Sequence, residues 1–368
     1  MIKLNRYFLV IIMPVLILSC MSLEAQQLFP VQNPEGKFGF INPKGKVVIK
    51  AVYDSAFYFS EGYCCIREGN QWGYIDSLGK TVIQPQFDSA YTFSEGLALV
   101  FQDSMAGYIG TDGKYIIEPK YFDGMGFSDG MALVKYEENT VKFEGNTWGF
   151  IDNQGELRIK EFPIYEFTIH DYGPGDIYYW LPFFHSGLVR YHHIFLDKKG
   201  RKQKYKKYDL RRFSDGVAIA YDDQFYINFY INKKGKRIIS DTYFSLSRFI
   251  DGYAWVLSCE DSTNSIFYYI DKQGVKVDSV AFEVFCPYSG LYNLGNGVAC
   301  YYNYKTPDLG TIIFNERGDS IRVQRLPIYW PDIRSYTKSQ KILFITKIEG
   351  EKVYINIKGD IVSKYLIQ

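Results

Sequence analysis

Nine times along this chain a short apolar or aromatic run ends near one fixed slot, and a glycine follows three residues after that slot. The slots are Asn42, Asp76, Gly110, Asp152, Asp197, Asn232, Asp271, Asn315 and Asn356, and the glycines run from Gly45, Gly79 and Gly113 to Gly318 and Gly359. The first three glycines are spaced by 34 residues, and later spacings run from 35 to 45. A period of this length describes an array of small supersecondary units, each too small to stand alone.

A second punctuation follows each of the first seven hairpin glycines except the last. "FSEG" ends at Gly62 and Gly96, "FSDG" at Gly130 and Gly216, "FIDG" at Gly252, with "FHSG" at Gly187 as a variant. The distance between the two punctuations is 16 or 17 residues, except for 32 after Gly155, which marks an insertion. Glu61, Glu95, Asp129, Asp215 and Asp251 recur at one repeat position and read as turn residues.

Taken from Trp72 to Val100, one unit reads as three strands. "WGYID" is a strand, "DSLG" a type I turn closed by a left-handed glycine, and "KTVI" the returning strand. "QPQFDSAYTF" reads as a connection in which Pro85 stops the strand, and "SEG" turns into a third strand, "LALV". The chain is therefore expected to be all-β, an array of about nine three-stranded antiparallel β-meanders. A propeller-like ring is favoured, with an open superhelical array as the alternative. "LFPV" near the N-terminus could be the third strand of a unit split between the chain ends, although Pro30 sits poorly inside a strand. Abundant tyrosine (33) and phenylalanine (28) agree with strands rather than helices.

The pattern resembles the WG repeat family, named for the pair seen here as Trp72-Gly73 and Trp148-Gly149. Residues 70–100 carry the typical unit almost throughout, and the resemblance covers roughly 36–362. Repeats are strong over 36–155 and degenerate over 187–368, with the insertion at 161–184. The resemblance implies a bacterial envelope or interaction protein rather than a given chemistry.

The N-terminus reads as a targeting segment over residues 1–25. Lys3 and Arg6 precede an apolar run from Tyr7 to Leu18, too short to span a bilayer. Ile17-Leu18-Ser19-Cys20 resembles a bacterial lipobox, which implies cleavage before Cys20 and a lipid on its sulfur. The other reading is cleavage after Ala25. Residues 26–368 then form the β domain, with export to the envelope as an outer-membrane lipoprotein, a periplasmic protein or a secreted one. The whole chain has 42 basic and 41 acidic residues, and losing Lys3 and Arg6 leaves 40 basic, so no basic surplus points to nucleic acid.

Chemistry is sparse. The hairpin acids Asp76, Asp152, Asp197 and Asp271 offer one carboxylate per loop, where a calcium loop needs several. "GYIGTDGK" from Gly107 lacks phosphate-loop spacing and reads as a hairpin. Cys64, Cys65 and Cys300 fall in strand slots and read as small buried residues. No nucleophile elbow, Rossmann fingerprint or S-x-x-K motif occurs, so no cofactor and no enzyme are expected. His170, His185, His192 and His193 cluster with Asp171 and Asp176 without metal-ligand spacing, a weak candidate for a metal or hydrolytic site. Tyr172, Tyr178, Tyr179 and Trp180 of the insertion are the expected binding side chains. The expected role is non-catalytic recognition of a protein partner, with a glycan as the alternative.

Overall fold

The computed structural model describes residues 27–136, 148–162, 183–191, 194–203, 205, 208–222, 224, 227–259, 264–283, 289–295, 297–303, 311–315, 317, 320–323, 344–348, 351–355 and 361–364. Among them every regular element is a strand, arranged in nine antiparallel sheets of three or four strands.

The second sheet shows how a repeat is built. It contains β4 (Ser55–Ala56), β5 (Tyr63–Glu68), β6 (Gln71–Asp76) and β7 (Thr81–Phe87), paired in that order. The sheet begins before the "SEG" turn, and this corrects the phase expected from sequence. In the next unit the strand containing "LALV", Ala98–Gln102, pairs with the following Met105–Ile109 and not with the preceding return strand. The short joint Glu68–Gln71 explains this. It folds β5 directly onto β6, whereas the long segment from Phe87 to Leu97 carries the chain to the next sheet.

Two further expectations are corrected. β7 runs through Pro85 to Phe87 instead of stopping there. Pro85 falls in the register shift between the Trp72–Phe87 and Tyr74–Ile83 pairs, where its missing N–H leaves no ladder bond unmade. β1 (Phe29–Gln32), with Pro30 also on an edge strand, belongs to the first sheet with β2 (Phe38–Ile41) and β3 (Val47–Tyr53). Among the described residues no sheet is split between the chain ends.

The Trp-Gly pair is structural. A Cβ on Gly73 would lie 2.6 Å from both the Ile83 carbonyl oxygen and the Pro85 nitrogen, because the pairing of β6 with β7 shifts register around Tyr74. Gly39, Gly107 and Gly149 meet the same backbone in their own sheets. Only glycine admits so close an approach. The hairpin aspartate is likewise turn chemistry: Asp76 Oδ1 accepts the N–H groups of Leu78 and Lys80, both at 2.9 Å. Asn42, Asp152, Asp197, Asn232 and Asp271 repeat this pair of bonds. "GYIGTDGK" is a hairpin as expected, closed by Gly110 N–H to the Lys114 carbonyl.

The core lies between consecutive sheets. Cys65, Tyr74, Ile83 and Phe87 of the second sheet pack with Ala98, Val100 and Ile109 of the third. Four hairpin glycines sit on an isoleucine side chain from the preceding repeat: Gly79 on Ile49, Gly113 on Ile83, Gly155 on Ile117 and Gly274 on Ile239, while Gly235 sits on the Tyr205 ring. The same relation joins the ends of the chain. Gly45 of the first sheet meets the backbone and side chain of Val362 in the last. The array therefore closes as a propeller-like ring, and among the described residues the seam is sealed by packing and not by a shared strand.

Polar clasps reinforce this stacking. Ser60 and Tyr63 exchange backbone hydrogen bonds around Glu61 (φ 53°) and Gly62 (φ 88°), a type I′ turn. The Glu61 carboxylate then accepts the N–H groups of Glu95 (2.7 Å) and Gly96 (2.9 Å) in the next turn. Glu95 does the same to Asp129 and Gly130, Asp129 reaches Gly187, Ser186 reaches Gly216, and Asp215 reaches Gly252. Beside them the Ser60, Ser94, Ser128 and Ser214 hydroxyls donate to the carbonyls of Phe93, Phe127, Phe184 and Phe249. The recurring acid is thus more than a turn residue: it ties each turn to its successor.

Candidate functional site

Most side chains singled out in the sequence lie outside the described residues: Cys20, His170, His192, His193, Tyr172, Tyr178, Tyr179 and Trp180, with most of the 161–184 insertion. His185 is described. It is half-buried on the strand Phe184–His185, in register with Leu188. Among the described residues no group of three or more His, Cys, Asp or Glu side chains converges as metal ligands would.

The cysteines are placed as their strand slots suggested. Cys64, Cys65 and Cys300 are buried, free thiols. Burial pushes all three well above the ordinary thiol range, the reverse of what a nucleophilic thiolate requires.

A different feature stands out at the boundary of the second and third sheets. Phe57 and Tyr91 are 37% and 44% exposed although large and aromatic. Their ring centroids are 6.3 Å apart. Phe57 also contacts Trp72 at 5.4 Å, and Tyr91 contacts Phe101 at 6.3 Å, which makes a continuous run of four rings across two repeats. Successive interplanar angles are 42°, 40° and 55°, so the rings form an uneven apolar surface rather than one flat platform. The Arg67 guanidinium stands 5.8 Å from the Trp72 ring centroid and adds a cation to the margin.

Local folding positions each ring. Trp72 and Phe101 sit on strands, whereas Phe57 and Tyr91 leave the short edge strands Ser55–Ala56 and Ser89–Ala90 on the way to the next turn. The Phe57 and Tyr91 N–H groups donate to the carbonyls of Cys65 and Leu99, which fixes the backbone beneath both rings. Sequence reasoning missed this cluster. The available signal was register, because Phe57 and Tyr91 both fall five residues before the turn glycines Gly62 and Gly96.

Asp54 lies close to the same sheet. The Lys37 ammonium and then the Gly69 N–H hold its carboxyl below the usual range. This carboxylate fastens the Glu68–Gln71 joint and is not positioned as an acid or base.

Comparisons with known proteins agree with the repeat assignment. The WG containing repeat is matched at residues 38–72, 72–104 and 107–139. No curated protein matches the chain. Among solved structures, a eukaryotic initiation factor aligns at 8% identity over 80% of this chain and 95% of its own, with a TM-score of 0.39. An uncharacterised Listeria monocytogenes protein aligns at 8% over 82% and 96%, TM-score 0.32. A Bacteroides caccae protein of unknown function aligns at 12% over 70% and 94%, TM-score 0.22. The three matched segments coincide with the sheets whose Trp-Gly glycine, hairpin turn and acid clasp are described above, so residues 38–139 carry three consecutive copies of the WG containing repeat.

Proposed function

We propose that this protein is a non-catalytic interaction scaffold of the bacterial envelope that recognises a protein partner. The observation that carries the reading is the ring cluster of Phe57, Trp72, Tyr91 and Phe101, in which the exposed Phe57 and Tyr91 stand on the half-buried Trp72 and Phe101. Aromatic side chains with an arginine at their margin are typical anchors of protein interfaces. A sugar ring stacks best on a flat exposed face, and the 40–55° tilts between successive rings offer an irregular surface suited to protein side chains. The envelope assignment is supported by the sequence from Lys3 to Cys20, with lipid attachment at Cys20 as the anchor.

The test is affinity capture from intact, crosslinked cells with three proteins: wild type, Phe57→Ala/Tyr91→Ala, and a deletion of residues 161–184. One recurrent protein captured by wild type and lost from the double variant supports the reading. Loss with the deletion alone moves the contact to the insertion. Capture of glycan only, or of nothing, overturns protein recognition.

A further inference from the structure

The ring carries its free basic charge unevenly, on two adjacent hairpins. Segments 197–202 and 232–236 hold seven lysines and arginines and one acid, in a chain of 42 basic and 41 acidic residues. Lys198, Lys199, Arg201, Lys202, Lys233, Lys234 and Lys236 are all exposed. The two hairpins are fastened together: the Tyr205 hydroxyl donates to the Lys233 carbonyl at 2.7 Å, and Gly235 sits on the Tyr205 ring. Arg201 is paired with Asp197, and Lys198 stands 3.5 Å from the clasp carboxylate of Asp129. Lys233 holds the repeat position of Lys198 and lies beside Gly187 and Gly216, but the acceptor of that clasp is the Ser186 hydroxyl, which carries no charge. Among the described residues Lys199, Lys202, Lys233, Lys234 and Lys236 have no carboxylate partner. Charges on earlier hairpins cancel locally: Lys114 pairs with Asp112, and Arg158 with Asp152 and Glu156.

The N-terminal strand enters at this same rim. Hairpin glycines pack on the preceding repeat, Gly79 on Ile49, Gly113 on Ile83, Gly155 on Ile117 and Gly200 on Ile159, so the hairpin tips follow one another along one rim. Phe29 pairs with Ile41, the residue before the first hairpin, which brings the start of the described chain to that rim. Cys20 lies seven residues before Gln27, a reach of at most about 25 Å. A lipid on Cys20 would therefore hold the hairpin rim close to a bilayer. Lysine is depleted from protein interfaces, whereas a cluster of exposed lysines suits lipid phosphates. We infer that the hairpin tips of segments 197–202 and 232–236 form a docking surface for an anionic phospholipid membrane. The inference rests on the anchor reading above and adds the orientation of the ring, with its hairpin rim toward the lipid.

The experiment uses the chain from residue 20 onward with Cys20→Ser, which removes no described residue and prevents lipid attachment. It is sedimented with vesicles of phosphatidylethanolamine and phosphatidylglycerol, or with neutral phosphatidylcholine vesicles. Binding to the anionic vesicles alone, reversed by about 0.5 M salt, is expected. Lys199→Gln/Lys202→Gln/Lys234→Gln/Lys236→Gln should weaken it at least about tenfold. The turn bonds at Lys199, Lys234 and Lys236 are made by backbone N–H groups, so these side chains are dispensable for the hairpins. Lys50→Gln/Lys120→Gln/Lys135→Gln/Lys160→Gln, away from the tips, makes the same charge change and should weaken binding less than about twofold. No binding to anionic vesicles, equal binding to neutral ones, insensitivity to salt or an equal loss in the control overturns the surface. Binding of a hexaglutamate peptide without vesicle binding assigns the lysines to an acidic protein segment and also overturns it. The anchor is read separately, from the mass of the N-terminal peptide of the native protein. An unlipidated Cys20 with vesicle binding intact removes the anchor alone, and a lipidated Cys20 without vesicle binding removes this inference alone.

Discussion

At the scale of single residues, glycine serves two unlike purposes here, and substitution separates them. Gly73→Ala would drive a methyl to 2.6 Å from backbone atoms of Ile83 and Pro85, which cannot rotate away. A loss of about 2–3 kcal/mol in chemical denaturation is expected, at the upper end of overpacking costs. Gly62→Ala meets open space, so only its φ of 88° opposes the methyl, at about 1–2 kcal/mol. The reverse ranking would show that the Trp-Gly glycine is not required by close approach. Tyr108 offers a second test. It is fully buried, and its hydroxyl donates to the Met125 carbonyl at 2.7 Å. Tyr108→Phe strands that carbonyl and should lower stability by about 1–3 kcal/mol in the same assay.

At the scale of elements, the clasps decide how one turn holds the next. Glu95→Ala frees the amides of Asp129 and Gly130, and a loss of about 1 kcal/mol is expected after allowing for exposure. Glu95→Gln, which keeps an acceptor, should fall between alanine and wild type, and equal losses for both would show that the charge carries the bond. Acid dependence belongs to this scale too. Asp54 has a folded pKa below its ordinary 3.8, through Lys37 first and Gly69 second. A depressed folded value means its stabilisation is present above the unfolded pKa and lost as pH falls through the folded one. Urea midpoints should therefore show no Asp54 contribution to pH dependence between about pH 5 and 8, and Asp54→Asn should flatten the decline below about pH 4.

At the scale of the whole molecule, the ring is only as closed as its seam. Gly45 of the first sheet rests against Val362 of the last, and among the described residues no strand crosses from one to the other. Gly45→Val should therefore loosen the seam, seen as a larger radius of gyration in solution scattering and faster proteolysis near the chain ends. Gly79, which rests on the side chain of Ile49, supplies the control. Gly79→Val should perturb one joint without enlarging the particle. An unchanged radius for Gly45→Val would mean that the seam is held by other contacts.

The repeat, its hairpins and its buried positions were legible from sequence because they depend on near neighbours. Asp76 reaches amides two and four residues away, and Tyr74 and Ile75 belong to a short apolar run buried on both faces of its strand. Periodicity also showed that Glu61 and Glu95 are equivalent. It could not show which strand "LALV" pairs with, since the same period suits either neighbour and only the short joint between β5 and β6 breaks the tie. Nor could it show that Glu61 bonds across 34 and 35 residues, that Phe57 and Tyr91 meet at a sheet boundary, or that Gly45 meets Val362. Spacing, glycine placement and turn chemistry by themselves determined an all-β repeat chain. The phase of the sheets, the clasps between turns, the exposed aromatic run and the closure of the ring were decided only in the tertiary structure, because each depends on which distant surfaces come into contact when the sheets stack.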